Sequence, residues 1–440
     1  MTKFFGTDGI RGRAGEGKLS DEGVTKMARA IGAHFGAGKQ AVIGRDTRES
    51  GPHIQALIEN ELLRCGVNVV DLGVIPTPAT ALLAQSLQAD FGIMITASHN
   101  PFHDNGVKLF GSDGKKLSST DQDAIETLIL SGSNGEDATP GERFVHEAAM
   151  TDYVASLLAS LPNADLSHLS VVVDCANGAA FRALPEALRS LGATLTLIGV
   201  EPNGQNINAE CGSTHTDKLS AAVTEAKADI GVAMDGDADR IILVDRTGQE
   251  IDGDQILARL AMNWSASGDL KSGAVVSTVM SNLGLERFLE RKGLRLERTL
   301  VGDRYVAARM DQLGANLGGE PSGHILMTDY ATTGDGSLAA LHLLAGLAES
   351  GEDSASYFHL YDSYPQVLKN VVFSGESPLN NPKVTHAIEA ADQSLGSDGR
   401  VLVRASGTEP KIRVMAEGTR LDDVARVVDH LCDVIKANSA

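Results

Sequence analysis

Four stretches of the chain hold residues whose types and spacing could do chemistry. Ser98 stands in Thr96-Ala-Ser98-His99-Asn100-Pro101, directly after the apolar run Phe91-Gly-Ile-Met-Ile95. That run reads as a short buried strand, so the turn-forming residues after it should present Ser98 on a loop at the strand end, where open α/β sheets bind ligands. Ser98 is the candidate nucleophile, although taken alone the segment reads as a polar turn. Asp235, Asp237 and Asp239 alternate with small residues in Asp235-Gly-Asp237-Ala-Asp239-Arg240. In an extended chain, carboxylates at every second position project to one side and can converge on a hard cation. An EF-hand begins with the same spacing, but Arg240 stands where its glycine belongs and Arg246 where its glutamate belongs, and the flanks read as strands. Three carboxylates that leave room for water and a phosphoryl oxygen suit Mg²⁺. The plainer reading, an acidic surface loop, must accept repulsion among closely spaced like charges.

The third stretch, Gly319-Glu320-Pro321-Ser322-Gly323-His324, offers hydrogen-bond donors and acceptors on a glycine-rich backbone able to fold over a polyhydroxylated ligand. In the fourth, Arg404-Ala-Ser406-Gly407-Thr408 is followed by Arg413, so that two hydroxyls, a glycine and two arginines make a phosphate cradle without a Walker lysine. A solvated hairpin is the alternative there. The opening Phe5-Gly-Thr-Asp-Gly-Ile-Arg11-Gly12 places one arginine among glycines, a loop that lets backbone N–H groups and a guanidinium approach an anion.

The elements that must position these loops recur along the chain. A strand at Gln40–Gly44, a polar turn at Arg45–Arg48, a helix from Gly51 to Arg64 and a strand through Cys65–Asp71 form one unit. The pattern returns from Val171 to Ile198 and again from Ala274 onward. Three copies at domain-sized separation predict three similar βαβ domains rather than a solenoid. After Tyr361-Asp-Ser-Tyr-Pro365, which reads as a linker, the order strand, helix, strand, strand, helix predicts a smaller α+β domain with an antiparallel sheet. The expected division is an α/β domain over 1–150 with the serine loop, a second over 151–252 with the metal loop, a third over 253–365 with the sugar loop, and an α+β domain over 366–440.

The 440 residues suit several domains, and a formal charge of −20 without a basic run argues against a nucleic-acid or anionic-membrane partner. An acidic protein that binds an anion must gather its few cations locally. Cys65, Cys175, Cys211 and Cys432 form no CxxC pair, which fits reduced thiols in a cytoplasmic protein. The start of the chain shows no signal peptide, and no apolar run is long enough to span a bilayer.

Taken together and in order, the four loops resemble those of the α-D-phosphohexomutases. The opening Phe5-Gly-Thr-Asp-Gly-Ile-Arg-Gly and Pro321 look most like the bacterial phosphoglucosamine mutase branch. The resemblance implies three similar α/β domains and a smaller fourth around a central cleft. It further implies that Ser98 carries the phosphoryl group as phosphoserine, with Asp235, Asp237, Asp239 and a phosphoserine oxygen holding one Mg²⁺. Arg240 would position the transferring phosphoryl, Arg11 would border the serine, and Lys108 would be general acid/base with His324 as second candidate. Glu320 and Ser322 would hold sugar hydroxyls, and Arg404, Ser406, Gly407, Thr408 and Arg413 the phosphate that does not react. The implied reaction interconverts glucosamine 6-phosphate and glucosamine 1-phosphate, with glucosamine 1,6-bisphosphate as intermediate and activator, and feeds UDP-N-acetylglucosamine synthesis. The partner is then a small phosphosugar. A homodimer is compatible with this reading, though no residue specifies one.

Three further expectations come with it. Lys108 is taken as exposed, and an exposed lysine stays protonated near neutral pH, so it must be desolvated or lie near a cation to act as a base. Ser98 is also taken as exposed, so that its truncation should cost little stability. The side chains of Ser98 and His99 should diverge on an extended backbone, which with the lack of G-x-S-x-G disfavours a serine hydrolase or phosphatase. A sugar-phosphate sensor without chemistry is disfavoured by the intact serine and aspartates, and a glucose- or mannose-phosphate mutase is the nearest alternative.

Overall fold

The computed structural model describes residues 4–6, 8–132, 138–406 and 410–439. The chain divides into two compact units, one of Met1–Thr278 and Thr299–His359, the other of Val279–Arg298 and Leu360–Ala440.

The first unit is organised by one strand arrangement used repeatedly. In the first sheet, Gln40–Arg45 lies between Asn68–Val74 and Phe91–Ile95, parallel to both. Asp104–Gly111 then pairs antiparallel with Phe91–Ile95. The second sheet repeats this. Ser170–Asp174 lies parallel between Thr194–Ile198 and Ile230–Met234, and Ile241–Asp245 returns antiparallel beside Ile230–Met234. In the third, Ala274–Thr278 runs parallel to Leu317–Gly319, which pairs antiparallel with Ile325–Met327. Strands such as Phe91–Ile95 and Ile230–Met234 are buried along their whole length, as apolar runs covered on both faces must be. The repeat has a functional consequence. The serine loop, the aspartate loop and the Glu320–His324 loop each leave the carboxyl end of the corresponding parallel strand, the end at which such sheets bind ligands.

The helix Gly51–Arg64 has the bounds that its apolar spacing predicts. The expected polar turn at Arg45–Arg48 is instead interior: Asp46 and Arg48 are buried and ion-paired at 2.8 Å. A four-residue polar segment carries no periodicity that could reveal such a pair.

Two glycines show how closely the loops of this unit interlock. A Cβ on Gly323, whose φ is +84°, would lie 1.9 Å from the Ile241 carbonyl, and one on Gly236 would lie 2.6 Å from that of Ser98. Neither site admits a larger residue without moving backbone.

The helix Gly336–Ser350 props the aspartate loop through a bond from the Gly336 N–H to the Ala238 carbonyl. Its N-cap is the buried Asp335, whose Oδ1 accepts from Leu338 N–H at 2.9 Å and from the Tyr153 hydroxyl at 2.9 Å. Burial outweighs these bonds and pushes the Asp335 carboxyl up to about 6. A raised carboxyl favours folding below its unfolded value of 3.8 and loses that contribution as pH rises through about 6. Asp335→Asn keeps both bonds on Oδ1 and removes the desolvated charge. It is therefore expected to stabilise the protein near neutral pH, by up to about 3 kcal/mol, and by progressively less on acidification toward pH ~4. Urea midpoints of both proteins across that window check this, and a pH-independent difference would contradict it.

The second unit carries the antiparallel sheet predicted for the tail. Gln366–Val372 and Gly399–Ala405 flank Lys411–Gly418. The helices Pro382–Leu395 and Leu421–Ala437 bury Val384, Val424, Val428, Leu431 and Ile435 against Ile412 and Val414. Tyr361-Asp-Ser-Tyr-Pro365, expected as a linker, is part of this packing. Tyr361 is buried and stacks on Phe288, and the Pro365 carbonyl accepts from Gly418 N–H.

Candidate active site

Ser98 is set at its strand end in a strained conformation, with φ at +53°, a region that L-residues other than Asn and Asp rarely enter. The loop around it is clamped by Arg48. Its guanidinium donates to the carbonyls of Ser98 at 2.9 Å, Asn100 at 2.8 Å and Asp104 at 2.9 Å, and also to that of Pro101. Asn208 adds amide bonds to the Ser98 and Asn100 carbonyls. The expectation of an exposed serine is therefore corrected: Ser98 is 1% exposed. Its Oγ donates to Asp235 Oδ2 at 2.6 Å. The expected divergence of Ser98 and His99 is corrected too, since His99 Nδ1 lies 3.2 Å from Ser98 Oγ. Left-handed backbone at Ser98 breaks the alternation of an extended chain. Burial, with Arg240 and Arg11 nearby, pulls the His99 imidazole down to about 4. The serine proton is nevertheless directed at Asp235, not arranged in a serine–histidine–carboxylate relay.

Asp235, Asp237 and Asp239 do converge, though not along an extended strand. Residues 235–240 form a turn, closed by a bond from Ala238 N–H to the Asp235 carbonyl and by φ of +61° at Ala238. The curl brings one oxygen of each carboxylate within 4.8 Å of the others, nearer than the roughly 7 Å repeat of an extended chain allows. All three are buried, and Asp237 Oδ1 and Asp239 Oδ1 have no hydrogen-bond partner. Burial raises the Asp235 carboxyl well above its usual range, and the charges of Asp237 and Asp239 raise it further. Clustered, desolvated oxygen donors with vacant lone pairs fit a small hard cation, and all-oxygen ligation fits Mg²⁺.

Lys108 is the largest departure from expectation. It is 2% exposed, and its Nζ bonds Asp237 Oδ2 at 2.7 Å and Asp239 Oδ2 at 2.8 Å, with Asp8 Oδ2 at 3.2 Å. Burial alone would lower its pKa, but the three carboxylates outweigh burial and hold it well above the lysine range. In this state it is a fixed cation. From Lys108 the charges alternate around a closed ring. Asp8 also pairs with Lys116, Lys116 with Asp303, Asp303 with His324 at 3.4 Å, and His324 with Asp239 at 3.6 Å. Burial pulls the His324 imidazole down, yet Asp239 and Asp303 together raise it. Burial works to raise Asp239 as well, but Lys108 and His324 hold it well below the usual carboxylate range.

The remaining arginines gather at the same place. Arg11 pairs with Asp8, and its charge is felt at His99. Arg240 lies 3.9 Å from Asp239 Oδ1, and its buried Nε has no hydrogen-bond partner. Glu320 Oε1 accepts from Gly302 N–H at 3.0 Å, and Ser322 Oγ lies 3.5 Å from Glu320 Oε2. Ser98, Lys108, the aspartates, Arg240 and His324 thus form one cluster, and the local gathering of cations expected of an acidic anion-binding protein is present.

In the second unit, Arg404 and Arg413 lie directly opposite each other across the hairpin, and Ser406 N–H donates to the Lys411 carbonyl at 2.8 Å. Burial, and then Arg413, lowers the Arg404 pKa. Two guanidiniums facing each other are unfavourable until an anion lies between them. Gly407 and Thr408 fall outside the described residues.

Sequence reasoning gave no role to Arg48, Thr77, Asp8, Lys116 or Asp303. Asp8 was visible inside the opening glycine loop beside Arg11. The others stand in segments whose local pattern carries no signal, because most of their partners lie far away in the chain; Arg48 has Asp46 two positions away, but the carbonyls it holds are some fifty positions on.

A serine held against three convergent carboxylates, ringed by cations and set on three copies of one α/β unit, defines a protein of the phosphohexomutase class. The chain belongs to the phosphoglucomutase/phosphomannomutase family. Residues 2–136, 151–248 and 252–364 match its α/β/α domains I, II and III, and residues 368–434 match its C-terminal domain. The chain is similar to the phosphoglucosamine mutase of Novosphingobium aromaticivorans, 52% identical with 99% of each chain covered. It is similar also to that of Sphingopyxis alaskensis, 50% identical with 99% of this chain and 100% of the relative covered. Among solved structures, a phosphoglucomutase/phosphomannomutase family protein from Burkholderia thailandensis superposes with a TM-score of 0.84 at 26% identity, covering 99% of this chain and 97% of that one. The fold is shared with N-acetylphosphoglucosamine mutase of Aspergillus fumigatus, at a TM-score of 0.68 and 19% identity over 99% of this chain and 96% of that one.

Proposed function

We propose that this chain is a phosphoglucosamine mutase, an isomerase that interconverts glucosamine 6-phosphate and glucosamine 1-phosphate through a phosphoserine at Ser98. The observation that carries the proposal is the bond from Ser98 Oγ to Asp235 inside a buried three-carboxylate cluster. Similarity at about half identity to phosphoglucosamine mutases along nearly the full chain supports the amino sugar. With domain limits of 1–150, 151–252, 253–365 and 366–440, each domain carries one of the four loops named from the sequence.

In the first half-reaction the phosphoryl group leaves Ser98 Oγ for O1 of glucosamine 6-phosphate. The P–O bond to serine breaks, the bond to O1 forms, and the O1 proton passes to the protein as the serine oxygen regains one. Glucosamine 1,6-bisphosphate then turns end for end, and Ser98 Oγ takes the phosphoryl from O6, releasing glucosamine 1-phosphate. Free bisphosphate is accordingly the activator that phosphorylates an unmodified serine. Asp235, Asp237, Asp239 and a phosphoserine oxygen would hold Mg²⁺, which neutralises charge on the transferring group. Lys108 and Arg240 supply fixed positive charge beside that group, and Arg11 borders it. With Lys108 held as a cation by its three carboxylates, His324 is the group that exchanges the proton, and Lys108 acts as general acid/base only once a bound metal draws those carboxylates away. Glu320 and Ser322 hold sugar hydroxyls, and Arg404, Ser406, Gly407, Thr408 and Arg413 hold the distal phosphate. Catalysis is then chiefly charge and position.

Substrate choice tests the reading. With the matching bisphosphate present, kcat/KM is expected to be clearly higher for glucosamine 6-phosphate than for glucose or mannose 6-phosphate, because a site that hydrogen-bonds the C2 group penalises a competitor that leaves a buried polar partner unpaired. Equal or better kcat/KM for the neutral sugars would refute the amino-sugar assignment while leaving a mutase. Turnover is also expected to vanish in excess chelator and to return with Mg²⁺, with Zn²⁺ a poor replacement.

A further inference from the structure

Thr77 opens the helix Thr77–Ser86 and is buried. It makes two bonds to a residue 160 positions away: its Oγ1 donates to Asp237 Oδ2 at 2.5 Å, and its N–H donates to the Asp237 carbonyl at 2.9 Å. Lys108 donates to the same Oδ2 at 2.7 Å. One oxygen of Asp237 is thus held twice, while the other, Oδ1, is buried without a partner. Asp239 is divided less sharply, with Oδ2 bonded to Lys108 and Oδ1 facing His324 at 3.6 Å and Arg240 at 3.9 Å. A carboxylate whose plane is set by donors on one oxygen presents the other in a fixed direction, and β-branched Thr77 has few rotamers to lose in doing so. The backbone bond fixes the height of the loop, and the hydroxyl fixes the rotation of its side chain.

We infer that Thr77 is a positioning residue for the cation site: it orients Asp237 so that Oδ1 is free to ligate Mg²⁺. The inference rests on the assignment of the metal to the three aspartates. Groups that hold a ligating side chain this way are worth about 10- to 100-fold in metal affinity. Thr77→Val removes the hydroxyl, keeps the shape and keeps the backbone donor.

Titration calorimetry with Mg²⁺ alone, on the dephosphorylated full chain, tests this. Thr77→Val is expected to raise the Kd for Mg²⁺ about tenfold or more, and Thr77→Ser to stay within about threefold of wild type. In turnover assays the Thr77→Val defect should lie in the Mg²⁺ concentration required, with kcat largely recovered at saturation. A purely structural threonine would shift the melting temperature and leave the Kd alone. Wild-type affinity in Thr77→Val, where the wild type binds Mg²⁺ and Asp237→Asn does not, would overturn this inference and leave the metal assignment standing. Absence of Asp237-dependent binding in the wild type would overturn both. If valine prevents folding, Thr77→Ala carries the same expectation and the same refutation.

Discussion

Ser98→Ala is expected to lose at least about 10⁴-fold in mutase turnover, because it removes the hydroxyl proposed to carry the phosphoryl between half-reactions. The fold should persist. The lost bond leaves the buried Asp235 Oδ2 without its donor and costs about 1–3 kcal/mol, and alanine inherits the left-handed backbone that serine already tolerates. Steady-state turnover with bisphosphate present, beside a thermal melt, separates the two effects. Residual activity within tenfold of wild type would place the nucleophile elsewhere.

Arg48→Ala is expected to fail in the opposite way, through the fold. It strands the fully buried Asp46 carboxylate, removes the guanidinium bonds to the carbonyls of Ser98, Asn100 and Asp104 at once, and leaves the first two with Asn208 alone. Breaking a buried pair by removing one partner costs about 3–5 kcal/mol. Turnover should fall with it, because the strained Ser98 backbone loses one of the two side chains that hold its carbonyl. Arg48→Lys keeps the charge but not the planar fork, and should fall between the two. Urea unfolding would contradict this if Arg48→Ala lay within about 1 kcal/mol of wild type.

What was legible in the sequence, and what was not, divides by the range of the interaction. Helix and strand positions follow from local periodicity, which is why Gly51–Arg64 and the tail elements agree with their pattern. The four chemical loops were legible because their chemistry-bearing residues are contiguous. Environment was not. Ser98 and Lys108 look exposed in a sequence, because polar residues on loops and edges usually are; only partners far along the chain, Asp235 for one and Asp237, Asp239 and Asp8 for the other, make their burial tolerable. The aspartates converge through a turn that alternation does not encode, since Ala238 adopts a conformation alanine rarely takes. Thr77 and Lys116 carried no signal at all, because their partners lie more than 100 positions away in the chain: Asp237 for Thr77, and Asp8 and Asp303 for Lys116.

The most direct test of the account is the site of phosphate itself. Wild-type protein is incubated with glucosamine 1,6-bisphosphate and Mg²⁺, and phosphate is located by intact mass and peptide mapping before and after glucosamine 6-phosphate is added. One phosphate on Ser98, discharged by the monophosphate and absent from Ser98→Ala, is expected. Phosphate on another residue of the active protein, or turnover without any protein-bound phosphate, would contradict the phosphoserine mechanism.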